Sequence, residues 1–124
     1  MNNSKYSNVR VGYKLWMTGD DGNLIIDDYQ FQLLKEIETT GSLMEATNKV
    51  GVSYRKAWGD LKNCEQSLGF PLLEKQRGGQ DGGHTSLTEE GIRLIRAYEK
   101  LHERFQNEVN EVIIDFKRTI KGKK

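Results

Sequence analysis

Ser42-Leu43-Met44-Glu45-Ala46-Thr47-Asn48-Lys49-Val50 is followed by Gly51-Val52-Ser53, and then by Tyr54-Arg55-Lys56-Ala57-Trp58-Gly59-Asp60-Leu61-Lys62-Asn63-Cys64-Glu65-Gln66-Ser67-Leu68-Gly69. Ser42 and Glu45 fit a capping box, in which each side chain satisfies the other residue's backbone N–H. The helix this box opens is short. It carries Leu43, Ala46 and Val50 on one side and stops at Gly51. Ser53 can cap a second helix almost at once. There Ala57, Leu61, Cys64 and Leu68 recur at steps of four, three and four, the spacing of a buried stripe. A short helix, a tight turn and a second helix make a helix-turn-helix.

Downstream, Pro71-Leu72-Leu73-Glu74-Lys75 reads as a strand and Thr85-Ser86-Leu87 as its return. The loop between them is Gln76-Arg77-Gly78-Gly79-Gln80-Asp81-Gly82-Gly83-His84. A β-ribbon placed directly after a helix-turn-helix is a wing. Upstream, Val9, Val11, Tyr13, Leu15 and Met17 face one way and Arg10, Gly12, Lys14 and Trp16 the other, a strand pattern. Thr18 to Asn23 is a turn and Leu24-Ile25-Ile26 a return strand, giving a β-hairpin. Asp27 or Asp28 can then cap a helix bearing Tyr29, Phe31, Leu33, Leu34 and Ile37, which ends near Gly41.

Thr88 can cap a last helix with no breaker before Gly122 apart from Gly91 in its first turn. At about 1.5 Å per residue it spans roughly 50 Å. Ile95, Tyr98, His102, Phe105, Val109, Val112 and Phe116 step by three and four, a heptad seam. Ile113 and Ile120 widen the stripe. Such a seam needs a partner, and an identical helix is the simplest one. The reading is therefore a mainly α fold with small β elements. It is a winged helix-turn-helix with an N-terminal β-hairpin and a long C-terminal dimerisation helix. The expected divisions are a disordered 1–8, the winged domain 9–87, the dimerisation helix 88–120 and a basic tail 121–124.

Composition agrees. The chain has 124 residues, 35% hydrophobic and 30% charged, which suits one small domain with an appendage. No run approaches the roughly 20 apolar residues of a membrane span, and the N-terminus lacks a signal-peptide core, so a cytoplasmic, non-membrane protein is expected. Cys64 is the single cysteine, which excludes an internal disulfide framework and a Cys-based zinc finger. The histidines, His84 and His102, lie in different elements with no Cys/His cluster, so neither metal nor cofactor is expected. Paired acids at Asp20-Asp21 and Asp27-Asp28 read as turn and cap residues. No catalytic grouping stands out, and no enzyme is inferred.

The charges, 19 basic against 18 acidic, sum to +1. Placement matters more than the sum. The stretches 53–62 and 75–77 are locally basic. Opposite the buried stripe of the second helix lie Arg55, Gly59 and Lys62, flanked by Lys56 and Asn63. Its first turn offers Ser53, Tyr54, Arg55 and Lys56. Arg and Lys donate to guanine O6 and N7 in a major groove, hydroxyls reach bases or phosphates, and Gly59 allows close approach. Ser42, at the start of the motif, joins these candidates. In the wing, Lys75, Arg77 and His84 offer phosphate contacts, and Gly78 and Gly79 let the backbone lie on DNA. The glycine loop lacks the Gly-Lys-Ser/Thr ending of a nucleotide P-loop. Trp58 is expected under the wing, Trp16 on a strand against the long helix, and Cys64 in the core.

The run Thr40-Gly41-Ser42-Leu43 through Ala46, then Gly51-Val52-Ser53-Tyr54-Arg55-Lys56-Ala57-Trp58, resembles the N-terminal DNA-binding domain of ModE-type molybdate-responsive regulators. So do Pro71-Leu72-Leu73-Glu74, the glycine-rich wing, and Leu87-Thr88-Glu89-Glu90-Gly91. The pattern is also similar to the LysR-type winged helix, whose linker helix mediates dimerisation. The likeness covers roughly residues 9–118. It implies a homodimeric regulator that binds double-stranded DNA. By position, Ser53, Tyr54, Arg55 and Lys56 meet the major groove, and Arg77 with the glycine loop meets the backbone. ModE regulators carry C-terminal molybdate-binding modules, whereas this sequence ends after the linker helix, so direct oxyanion sensing is not expected. Constitutive regulation, sensing through a separate effector-binding partner, and no sensing all remain open. The competing reading is a winged-helix protein-interaction module that binds no DNA, which the near-neutral charge favours. The salt dependence of DNA binding separates the two.

Overall fold

The computed structural model describes residues 6–76 and 84–122. They form β1 (Trp16–Thr18), β2 (Leu24–Asp27), α1 (Asp28–Thr40), α2 (Leu43–Val50), α3 (Tyr54–Leu68), β3 (Leu73–Gln76), β4 (His84–Leu87) and α4 (Glu89–Ile120). The chain divides into two compact units. One is Leu15–Tyr98. The other joins the described residues before Leu15 to those after Tyr98. The Leu15–Tyr98 unit thus includes the first turns of the helix read as a linker from 88 onward.

Local chemistry sets the helix ends. Asp27 accepts from the Tyr29 N–H, and Gln30 reaches back to the Asp27 N–H at 2.9 Å, a complete capping box. At α2 the Ser42 Oγ accepts from the Glu45 N–H at 3.1 Å, and at α3 the Ser53 Oγ accepts from the Lys56 N–H at 3.1 Å. Gly51 ends α2 at φ +87°, where its N–H bonds the Thr47 carbonyl. A side chain there would clash with the following carbonyl, so the tight turn into α3 depends on glycine. The helix-turn-helix is therefore written residue by residue in its caps.

The core of this unit joins Ile26 of β2, Phe31, Leu33, Leu34 and Ile37 of α1, and Leu43 and Ala46 of α2. Ala57, Leu61 and Cys64 of α3, Leu72, Leu87 and Ile95 complete it. These are the apolar positions that the helical and strand spacings select. At roughly 25 cal/mol per Å² of buried apolar surface, each large side chain contributes about 1.5–3 kcal/mol. β3 and β4 pair antiparallel, Leu73 opposite Leu87 and Gln76 opposite His84. This is the expected ribbon after the helix-turn-helix.

The first strand departs from expectation. Alternation from Val9 predicts a long strand, but only Trp16–Thr18 pair with β2. Trp16 lies opposite Asp27, and Asp27 is already committed to capping α1. The partner strand ends there, so residues 9–15 have nothing to pair with in this hairpin. Trp16 stands 58% exposed.

Candidate nucleic-acid interface

α3 offers a different first turn from its neighbours. α1, α2 and α4 each place an acid there, whereas α3 has none. The partial positive charge of its N-terminus is left uncompensated, which favours an anion such as phosphate. Arg55 stands exposed in this turn, and among the described residues no acid pairs with it. Its neighbours differ. Lys56 pairs with Asp60 at 2.8 Å and lies 5.3 Å from the centre of the Tyr29 ring. Lys62 pairs with Glu65 at 3.2 Å and lies 5.4 Å from the centre of the Trp58 ring. The predicted basic face thus contains a guanidinium without an acidic partner among the described residues, flanked by two ammonium groups that each have one.

Gly59 lies one turn beyond Arg55. A Cβ built on it meets nothing within 4 Å. Neither packing nor backbone conformation requires glycine here, yet glycine inside a helix costs about 1 kcal/mol relative to alanine. The small residue makes sense for something that approaches α3 from outside.

The other predicted contacts fall in three groups. Ser42 and Ser53 use their side-chain oxygens as helix caps. Tyr54 is half-buried, with part of its side chain packed against the core. His84 heads β4 with its ring over Gly41, where a built Cβ would sit 2.2 Å from the imidazole. The next residue, Thr85, donates its N–H to the Gly41 carbonyl at 3.0 Å. His84 therefore helps seat the ribbon on the turn between α1 and α2. The Lys75 side chain and residues Arg77, Gly78 and Gly79 lie outside the described residues.

Two more residues complete the surroundings of α3. Trp58, expected under the wing, is 43% exposed on the α3 flank it shares with Lys62. Glu65, unremarked in the sequence, accepts from the Leu72 and Leu73 N–H groups at 2.7 and 3.0 Å. The Lys62/Glu65 spacing hinted at an ion pair, but backbone donors leave no mark in a sequence.

The predicted seam also changes. Ile95 is fully buried in its own unit's core, and Tyr98 stacks on Phe31 with ring centres 3.6 Å apart. The Tyr98 hydroxyl also donates to the Asp28 carboxylate. Both are committed within the chain, because the first turns of α4 complete the small core. Later in α4, Phe105, Val112 and Phe116 are 45%, 62% and 46% exposed, and Val109 is half-buried. His102 is exposed there too.

Among the described residues no group of three or more His, Cys, Asp or Glu could hold a metal ion. Nor is any described helix long and apolar enough to cross a membrane.

Residues 29–92 match the bacterial regulatory helix-turn-helix protein, lysR family. The chain belongs to the lysR family. This lysR-family chain is 39% identical over 92 residues to the transcriptional regulator ModE of Haemophilus influenzae, covering 74% of this chain and 36% of that one. It is 30% identical over 92 residues to the molybdenum transport protein ModE of Azotobacter vinelandii, covering 74% and 34%. The ModE likeness read from the motifs is thus present in the aligned sequences. The chain spans about a third of the length of these curated relatives. Its fold is like that in the crystal structure of the BenM DBD–benA site 1 DNA complex. The TM-score is 0.51 at 22% identity, over 75% of this chain and 94% of that one.

Proposed function

We propose that this lysR-family chain binds double-stranded DNA as a homodimeric transcription regulator. α3 enters the major groove and the β3–β4 ribbon lies along the backbone. The observation that carries this reading is Arg55, exposed and without an acidic partner among the described residues, on a first turn free of acids and one turn before Gly59. A guanidinium in that position donates two parallel hydrogen bonds to guanine O6 and N7. Ser42, Ser53, Lys56 and Lys62 line the same approach: the serine hydroxyls keep their caps and donate their O–H to phosphate, while the two ammonium groups exchange Asp60 and Glu65 for phosphate oxygens. Lys75, Arg77, Gly78, Gly79 and His84 serve the wing.

The homodimer rests on α4. His102, Phe105, Val109, Val112 and Phe116 supply the seam. Burying their apolar surface against a second copy answers an exposure that water opposes. A two-fold dimer reads two half-sites about 34 Å apart, or a multiple of it. The ModE relatives, one of them named for molybdenum transport, support target genes concerned with molybdenum.

The test is selection of genomic fragments by the purified chain at two salt concentrations. The expected result is enrichment of a two-fold symmetric site, lost at high salt because phosphate contacts release counterions. No enrichment at either salt would overturn this reading in favour of a protein-interaction module.

A further inference from the structure

We infer that Glu65 is a positioning residue for DNA recognition: it fixes the ribbon and the start of α4 against α3. The inference rests on the DNA-binding reading above. Glu65 lies on α3, and its side chain is only 11% exposed. One carboxylate oxygen accepts from both Leu72 and Leu73, at 2.7 and 3.0 Å, where the chain turns into β3. The other faces Lys62 at 3.2 Å. Leu72 is itself fully buried, so water does not replace a lost acceptor at low cost.

Leu72 and its neighbour Pro71 also hold the second strand's exit at this same base of the ribbon. The Leu72 carbonyl accepts from the Thr88 N–H at 2.9 Å, and the Pro71 carbonyl accepts from the Thr88 hydroxyl at 2.8 Å. That hydroxyl in turn accepts from the Gly91 N–H at 3.0 Å and so caps α4. Gly91 comes so close that a built Cβ would lie 2.7 Å from the Leu72 oxygen. Residues 71–73 are therefore a junction on which the groove helix, the ribbon and α4 converge. Glu65 is the α3 side of it. A carboxylate holding two donors at once fixes direction as well as distance, and sequence-specific binding requires both elements to meet DNA in one register.

The test uses the full chain and two labelled duplexes, one recovered by the fragment selection and one of scrambled sequence. Binding is read by anisotropy at a temperature where thermal unfolding shows each variant folded. Glu65→Ala should lower the preference for the selected duplex about ten-fold, the scale of one charge-assisted hydrogen bond. Glu65→Gln keeps an acceptor oxygen and should restore most of that preference. Lys62→Ala should weaken both duplexes together and leave the preference unchanged, as loss of a phosphate contact does. If Glu65→Ala does not fold, Glu65→Asp carries the test, because it keeps the charge but withdraws the oxygen from Leu72 and Leu73. A folded Ala or Asp variant with wild-type preference would overturn the assignment of Glu65. A wild-type chain that does not discriminate the duplexes would overturn the DNA reading itself.

Discussion

Arg55 and Gly59 are the residues of α3 that their surroundings leave uncommitted. Arg55 has no acid to satisfy it among the described residues, and Gly59 has no neighbour to require it. Arg55→Ala should cost ~1–3 kcal/mol of affinity for the selected site and relax specificity there, measured by anisotropy titration. Lys56→Ala should cost less, since Lys56 must first give up Asp60 at 2.8 Å. Gly59→Ala separates stability from function. Urea unfolding should show a gain of up to ~1 kcal/mol, because alanine is the better helix former and has open space. The same variant should bind the site more weakly, because its methyl group stands where DNA approaches. A gain in both would remove Gly59 from the interface.

Between elements, two glycines that both end helices should respond differently. Gly51→Ala faces only its φ of +87°, with nothing within 4 Å, and should lose ~1–2 kcal/mol. Gly41→Ala faces φ +73° and the His84 ring 2.2 Å from the new carbon, so it should lose more and loosen the ribbon. Urea midpoints at constant slope would rank them. The α1–α3 contact also titrates. Burial first, and then the nearby Asp60 carboxylate, push the Tyr29 phenol from its ordinary 10.0 up to about 12. Burial likewise pushes the Cys64 thiol from 9.0 to about 11, with its S–H donating to the Ile25 carbonyl at 3.1 Å. In both, the folded state holds the proton more tightly than the unfolded state. Their contribution is complete below about pH 9 and is lost as pH rises through the 9–12 window. Urea midpoints should fall between pH 8.5 and 11, and Cys64 should react slowly with a thiol reagent at pH 8.

For the molecule as a whole, the proposed dimer is the property to test. Phe105 and Val112 are 45% and 62% exposed on α4, and nothing in the Leu15–Tyr98 core depends on them. Phe105→Glu with Val112→Glu should convert a dimer into a folded monomer in sedimentation experiments, with unchanged near-ultraviolet dichroism. Operator affinity should fall by far more than either half-site contact explains, because linked half-sites bind with an effective local concentration. A stable wild-type monomer at micromolar concentration would remove the seam argument.

The sequence by itself determined the helix-turn-helix, since caps and turns are local chemistry. Asp27, Ser42, Ser53, Gly41, Gly51 and Gly69 bound α1, α2 and α3, and the stripe Ala57, Leu61, Cys64 names the buried face of α3. It also placed Arg55, Gly59 and Lys62 on the opposite face of that helix. Tertiary structure decided what depends on partners distant in the chain. Asp27 served the cap and so ended the hairpin before Val9 could join it. Ile95 and Tyr98, in step with the seam, were claimed by the core because a small domain needs the first turns of α4 to close. Lys56 and Lys62 proved to be paired, and Glu65 reached backbone donors seven and eight residues on. Periodicity reports which residues share a face; which neighbour that face meets is fixed only when the chain closes on itself.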